Sequence, residues 1–318
     1  MSFTAEVKEE LSRVEPKKAC CLEAELAALV RVEGTLHLTG QNRYRLEIAT
    51  ETAPVARKTI KLLHNLFGLK TELTVRRSVL HKTNNYLITV PSQPKLAESL
   101  RRLGVLDEAG GFHYGVDDRL VAKDCCAVAY LRGAFLGGGF VADPHGDFHF
   151  ELLAETADMA ADLVGLLSRF EIPAKVTRRR GAHAVYLKGA EPILTFLALV
   201  GAHRALLRTE DVRIIKGMRN EVNRLVNAET ANLQKTADAA MQQLEAIRQL
   251  DATRGLQTLP PALRDLAALR LEYPDVSLRE LGELADPPLS KSAVYHRIRR
   301  IEELATREQA GGKQSPSR

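Results

Sequence analysis

The sequence predicts an α+β fold in which one helix-and-strand unit occurs twice about a pseudo-twofold axis, followed by an all-α C-terminal module. Three observations carry this expectation. The shift that lays Cys21 on Cys126 also lays Leu26 on Leu131 and Gly34 on Gly139. Behind those residues one order of patterns (helix, strands, helix, strand) is met twice. From His203 onward the alternating runs stop and only helical spacing remains.

Residues 1–21 read as an N-terminal helical arm and residues 22–202 as the duplicated domain. In the first copy a helix through LAALVRVEG is followed by the alternating run YRLEIATET, the helix KTIKLLHNLF and a strand, ELTVRR, ending at Arg77. The second copy has LRGAFLGGG, then FHFELLAET, the helix ADLVGLLSRF and KVTRRR ending at Arg180, with Glu155-Thr156 lying on Glu51-Thr52. The repeat is therefore expected to be an αββαβ unit, with the two equivalent first helices paired along the axis.

Three consecutive glycines, Gly137, Gly138 and Gly139, close the second of those helices. Each costs a helix interior up to ~1 kcal/mol relative to alanine, so the run must do something a helix interior does not. Ala129, Gly133 and Gly137 recur every four residues, against Ala24, Ala28 and Val32 in the first copy. Such a ridge of small residues lets two helix backbones approach closely. Gly138-Gly139 then predicts a helix end before a strand. A phosphate-binding loop is disfavoured, because no Lys-Ser or Lys-Thr follows and the helix precedes the glycines.

With 318 residues, 45% of them hydrophobic, the chain has material for two or three packed domains. No apolar run approaches the ~20 residues that span a bilayer. The start, MSFTAEVKEELSRVEP, is charged where a signal peptide needs an apolar core, so the expected location is the cytoplasm. A net charge of +5 mildly favours a polyanionic partner. The four cysteines form two adjacent pairs, Cys20-Cys21 and Cys125-Cys126. Zinc sites usually separate their cysteines by two to four residues, so these read as small buried thiols in a reducing compartment, with a four-cysteine cluster as the minor alternative.

Residues 203–256 read as a helical connector, continuously helical from His203 to Leu250. It is polar and charged, as solvated connectors are. Asn220, Asn223 and Asn227 line one stripe of it and would hydrogen-bond either DNA backbone or a neighbouring helix. Leu259-Pro260-Pro261 marks a boundary, and residues 257–306 read as a helix-turn-helix: ALRDLAALRLEY, then LRELGELA capped by Ser277, then KSAVYHRIRRIEELA capped by Ser290. Val294, Ile298, Ile301 and Ala305 form the buried stripe of the last helix. The segment from Ser290 to Arg300 holds five basic residues and no acid. That asymmetry suits a helix entering the major groove, with Ser290, Lys291, Ser292, Tyr295, His296, Arg297, Arg299 and Arg300 as DNA-binding candidates. Residues 307–318 read as a disordered tail.

LAALVRVEG (residues 26–34) and LRGAFLGGG (131–139) resemble, without gaps, the LAGLIDADG motif of homing endonucleases. Over nearly the whole length the sequence is similar to the narrower WhiA family of bacterial regulators of sporulation and cell division. The resemblance rests on SFTAEVKEELSRVE, CCLEAELAALVRVEGTLHL, YLRGAFLGGGFVADP, RNEVNRLVNAETANLQKT and the C-terminal helix pair. It implies a degenerate LAGLIDADG-like domain joined to a helix-turn-helix, a transcription factor acting in cell division, chromosome segregation or sporulation, and in some bacteria a WhiB-type iron–sulfur partner.

The endonucleases hold divalent metal with one carboxylate from each copy, and hard cations require oxygen ligands. Here the equivalent positions are Glu33 and Gly138, so one acid is missing. Asp143 and Asp147 follow the second motif but read as turn chemistry, with His145 and His149 as turn and strand residues. The expectation is a monomeric, nucleoid-associated regulator of double-stranded DNA with no catalytic residues, metal or cofactor. Backbone contacts are expected from Arg76, Arg77, Arg178, Arg179, Arg180, Arg219, Asn223 and Arg224. Its rivals are a metal-dependent endonuclease and a scaffold whose basic helix docks an acidic protein.

Overall fold

A computed structural model describes residues 2–40, 43–77, 84–179 and 181–312. The backbone divides into two compact units, Met1–Gly217 and Met218–Arg318. In the first, α1 (Phe3–Ser12) leads to α2 (Ala19–Glu33), β1 (Gly34–Gly40), β2 (Arg43–Thr50), α3 (Ala53–Phe67), β3 (Glu72–Arg77), β4 (Asn84–Val90) and α4 (Leu96–Arg102). After the short α5 (Asp118–Val121) the order repeats as α6 (Asp124–Gly138), β5 (Gly139–Val141), β6 (His149–Ala154), α7 (Ala157–Ser168), β7 (Ala174–Arg179), β8 (Ala182–Lys188) and α8 (Ala190–Val200).

Each copy is thus αββαββα, one strand and one helix longer than the αββαβ unit read from the sequence. The additional strands are central. Both sheets are antiparallel, ordered β1-β2-β4-β3 and β5-β6-β8-β7. The registers match across the copies: Leu46 pairs Val90 where Phe150 pairs Leu187, and Glu72 pairs Thr89 where Lys175 pairs Tyr186. That equivalence sets Arg76 on Arg179 at the end of each outer strand. Arg180 lies outside the described residues.

The pairing of α2 with α6 is the spine of this unit. An ideal Cβ on Gly133 would stand 2.3 Å from the Glu25 carbonyl oxygen and 2.9 Å from Ala28 Cβ, and one on Gly137 would stand 3.0 Å from Val32. At Gly133 any side chain would force a shift of α2, and at Gly137 it would crowd Val32, which is the close approach the small-residue ridge predicts. Gly34 and Gly139 are the equivalent first residues after each helix, and both lead directly into a strand. Beneath the second sheet Phe135, Phe150 and Phe196 pack ring to ring, with centroids 4.5 to 5.7 Å apart.

The N-terminal segment is not an appendage. Phe3, Val7 and Leu11 recur every four residues on one face of α1, and that face is buried in the core of the repeat domain. A charged cluster is buried there as well. Glu25 of α2 forms an ion pair with Lys58 of α3 at 2.5 Å and accepts a hydrogen bond from Arg132 of α6 at 3.2 Å. Lys58 also donates to the carbonyls of Leu11 and Val14 at 3.3 and 2.6 Å, and Arg132 to that of Val200 at 3.2 Å. Glu25 is fully buried and the two cations nearly so, which is tolerable because each charge has an opposite charge or a carbonyl against it.

A single helix, α9 (His203–Arg254), carries the chain through the division between the units. A 3-10 turn at Leu256–Thr258 precedes α10 (Pro261–Glu272), α11 (Leu278–Glu283) and α12 (Lys291–Gly312). Ile247 and Leu250 from the end of α9 join Leu266, Ala267, Leu281, Val294, Ile298, Ile301 and Ala305 in one small core. The stripe expected on the last helix is therefore its buried face. Ser277 opens α11 with a capping box completed by Glu280. Gly282 fixes the turn, since a Cβ there would lie 2.3 Å from the Leu289 carbonyl oxygen, and Leu289 N–H donates to Gly282 O at 2.8 Å. The helix α12 continues to Gly312 in place of the tail expected from residue 307, because EELATREQA is built of helix formers. Residues 313–318 lie outside the described residues. No described helix is long and apolar enough to cross a membrane.

Candidate nucleic-acid interface

Burying Val294, Ile298, Ile301 and Ala305 fixes what the other face of α12 must present. Ser290 caps the helix, its Oγ accepting from Ala293 N–H at 3.2 Å. Lys291, Ser292, Tyr295, His296, Arg299 and Arg300 are exposed, and Arg297 is half-buried. Tyr295 is half exposed and stands edge-on to His296, with ring centroids 5.7 Å apart. Near the C-terminal end of this face Arg299 and Arg300 share one carboxylate, Glu303, at 3.5 and 3.0 Å. Lys291 and Arg297 have no ion-pair partner among the described residues. The side chains singled out on this helix therefore form one continuous polar and cationic surface.

The other expected backbone contacts divide among separate elements. Arg76 and Arg77 end β3, all of whose residues are exposed, and Arg178 is exposed near the end of β7. Arg179 is the last residue of β7. Arg219, Asn223 and Arg224 lie exposed on α9, with Asn220 and Asn227.

At the C-terminal ends of α2 and α6 the position of the missing acid is tightly packed. A Cβ at Gly138 would lie 2.7 Å from Val32 Cγ1 and 3.0 Å from Leu153 Cβ, so a side chain there would have to displace these neighbours. Lys8, a residue the sequence reading did not single out, instead reaches in from α1 and donates from Nζ to the Gly137 carbonyl at 2.6 Å. Together with Ser2, Thr4, Thr50, Glu51 and Asn85 it lines a cavity onto which Glu33 opens. Burial pushes the Glu33 carboxyl up to about 8, against the opposing pull of the Lys8 ammonium and the Thr50 hydroxyl. Burial likewise lowers Lys8, while Glu33 and Glu51 raise it.

Asp143 does not join Glu33. Its carboxylate accepts the His145 backbone N–H at 2.9 Å and is paired with the His145 ring at 2.8 Å and Arg208 at 3.3 Å, which hold it below the ordinary carboxylate range. Asp147 is exposed in the same turn, and His149 of β6 pairs with Glu151 at 2.8 Å. Among the described residues no group of three or more carboxylates and histidines converges as metal ligands.

The raised Glu33 carboxyl makes stability depend on pH. Below its ordinary value of 4.5 both the native and unfolded chains carry the proton. Between there and about 8 the unfolded chain releases it while the native one keeps it, so stability falls as pH rises. Glu33→Gln cannot ionise. It is expected to match the native chain near pH 4.5 and to exceed its stability at pH 8 by a few kcal/mol. Urea unfolding at the two pH values measures the difference, and equal midpoints at pH 8 would contradict it.

Comparison with known proteins agrees with this architecture. The WhiA N-terminal LAGLIDADG-like domain matches residues 19–106, the WhiA LAGLIDADG-like domain residues 127–219, and the WhiA C-terminal HTH domain residues 222–305. The probable cell division protein WhiA of Desulforamulus reducens is 51% identical over 315 residues, covering 98% of this chain and 97% of its own. That of Symbiobacterium thermophilum is 48% identical over 307 residues, covering 96% and 98%. The crystal structure of full-length WhiA from Thermatoga maritima superposes with a TM-score of 0.60 at 26% identity, covering 96% of this chain and 99% of that one. With a duplicated α+β unit, a helix-turn-helix, and relatives alike from end to end, the chain belongs to the WhiA family.

Proposed function

We propose that this protein is a sequence-specific DNA-binding transcriptional regulator acting in cell division, chromosome segregation or sporulation, and that it does not cleave DNA. The observation that carries the reading is α12. Its apolar stripe is spent on the core of its own unit, leaving Lys291, Ser292, Tyr295, His296 and Arg299 to face solvent behind a capped helix start. A helix of that construction offers cations to phosphates and short polar side chains to base edges. The relatives' name, probable cell division protein, supports the biological setting. Against cleavage stand the glycine, closely packed on Val32 and Leu153, at the second acid's position and the Lys8 ammonium that shares a cavity with the one remaining carboxylate. Location at the nucleoid, a monomeric state, backbone contacts from Arg76, Arg77, Arg178, Arg179, Arg219, Asn223 and Arg224, and a WhiB-type partner belong to the same reading.

The test uses genomic fragments captured by the full chain. Tyr295→Ala and Arg299→Ala are each expected to weaken specific binding by ~1–3 kcal/mol, and native binding should weaken steeply with added salt. Unchanged affinity and preference in both variants would remove α12 from base recognition. Metal-dependent nicking of the bound DNA that disappears in Glu33→Gln would replace the regulator with an enzyme.

A further inference from the structure

The two cysteine pairs meet. Cys20 and Cys21 occupy the second and third residues of α2, and Cys125 and Cys126 the same positions of α6. Because these helices pair across the pseudo-twofold axis, their first turns come together and the four Sγ atoms all lie within 4.8 Å of one another. Cys21 Sγ and Cys126 Sγ are 4.0 Å apart. The sequence favoured buried core thiols, with a four-cysteine cluster as the minor alternative, and the structure brings all four together. Adjacency does keep one pair from supplying a full tetrahedron, but two such pairs facing each other supply it.

We propose that Cys20, Cys21, Cys125 and Cys126 form a tetrathiolate site for one thiophilic divalent cation of the zinc or ferrous class. Four sulfurs bound tetrahedrally at about 2.3 Å from a single zinc stand about 3.8 Å apart, close to the spacing here. A multi-iron cluster fits poorly, because its cysteines sit on different metal atoms and stand farther apart. Hard cations are excluded by the all-sulfur ligand set. Cys21 and Cys126 are buried, while Cys20 and Cys125 are half-buried and leave a route of entry.

The surroundings suit an anionic site. On binding, the four thiols release their protons to solvent and the dication leaves a net charge of minus two. The four cysteines sit in the first turns of both helices, the end at which the helix dipole favours negative charge. The residues preceding the two helices are Lys18 and Lys123, and neither uses its side chain as a cap. The site lies at the end of α2 and α6 opposite Glu33 and Gly138, about 20 Å along the helix axes, so it is distinct from the degenerate carboxylate end. An ion there would cross-link the two copies of the repeat. The proposal is independent of what α12 binds.

The experiment is elemental analysis of the full chain, expressed with zinc and iron both present and purified anaerobically under reducing conditions. The expected result is one zinc or one iron per chain, the element itself deciding between the two. Exchange with cobalt should give the intense visible bands of tetrahedral cobalt thiolate. Cys20→Ser and Cys125→Ser, both at half-buried positions, should lose the stoichiometric ion and the cobalt bands while keeping the native circular dichroism. Metal-free protein with four titratable thiols would overturn the site. So would metal-free protein with disulfides between the copies, or full metal retention by both serine variants.

Discussion

Gly133→Leu is expected to destabilise the repeat domain by ~3 kcal/mol or more, at or beyond the upper end of ordinary overpacking. Overpacked cores usually relax by turning a flexible side chain, and here that route is closed. The atom in the way is the Glu25 carbonyl oxygen, 2.3 Å from the new Cβ, and it belongs to the backbone of α2. The helices must separate, and they carry the shared core with them. Gly165→Ala in α7 is the control, since nothing lies within 4 Å of its Cβ position and alanine is the better helix former by up to ~1 kcal/mol. Urea unfolding of the two variants should therefore move in opposite directions. A Gly133→Leu protein with native stability would mean that α2 and α6 do not touch at this residue.

The second large effect is expected at Glu25. Glu25→Ala leaves Lys58 and Arg132 buried without their common counter-ion, and breaking a buried pair in this way costs about 3–5 kcal/mol. Replacing the three residues together by apolar side chains of similar volume is expected to restore most of that loss, because burying the charges is itself expensive. Thermal and urea unfolding of the single and triple variants would measure both. A triple variant no more stable than Glu25→Ala would show that the carbonyls of Leu11, Val14 and Val200, left without their donors, matter more than the charges.

Several parts of this structure were legible from residue order. Duplication shows in the cysteines, the glycines and the two Glu-Thr pairs, since each occupies a position that the twofold arrangement constrains equally in both copies. The apolar stripe of α12 shows because helical spacing alone separates it from Lys291, Tyr295 and Arg299. The central strands β4 and β8 did not show, and the reason lies in the hairpins before them. Residues 78–83 separate β3 from β4, whereas residues 180–181 separate β7 from β8, so the register between the copies is lost where those strands begin. Burial of α1 was also hidden, because a face of Phe3, Val7 and Leu11 is too narrow to tell an arm from a packed helix.

The candidate sites divide along the same line. Lys8 could not be placed in the same cavity as Glu33 from the sequence, since it comes from an element that has no counterpart in the second copy. The four cysteines could not be assembled from their spacing, because they converge through helix pairing and not along the chain. By contrast Glu33 and Gly138 were found by their place in the repeat, and the structure adds how closely Val32 and Leu153 pack on Gly138.

The buried Glu25–Lys58–Arg132 cluster has a consequence for how this chain is divided. Residues 19–106 and 127–219 match two separate domain families, as if each were a module that could be inherited alone. Yet the anion is supplied by the first stretch and one of its cations by the second, and the same cation reaches the C-terminal end of α8. The second stretch by itself would hold Arg132 without its anion, the first would lose one of the two cations on Glu25, and each would expose a helix face that only the other covers. Descent has two modules here and cooperative folding has one, with the boundary of the folding unit falling around both copies and the N-terminal helix together.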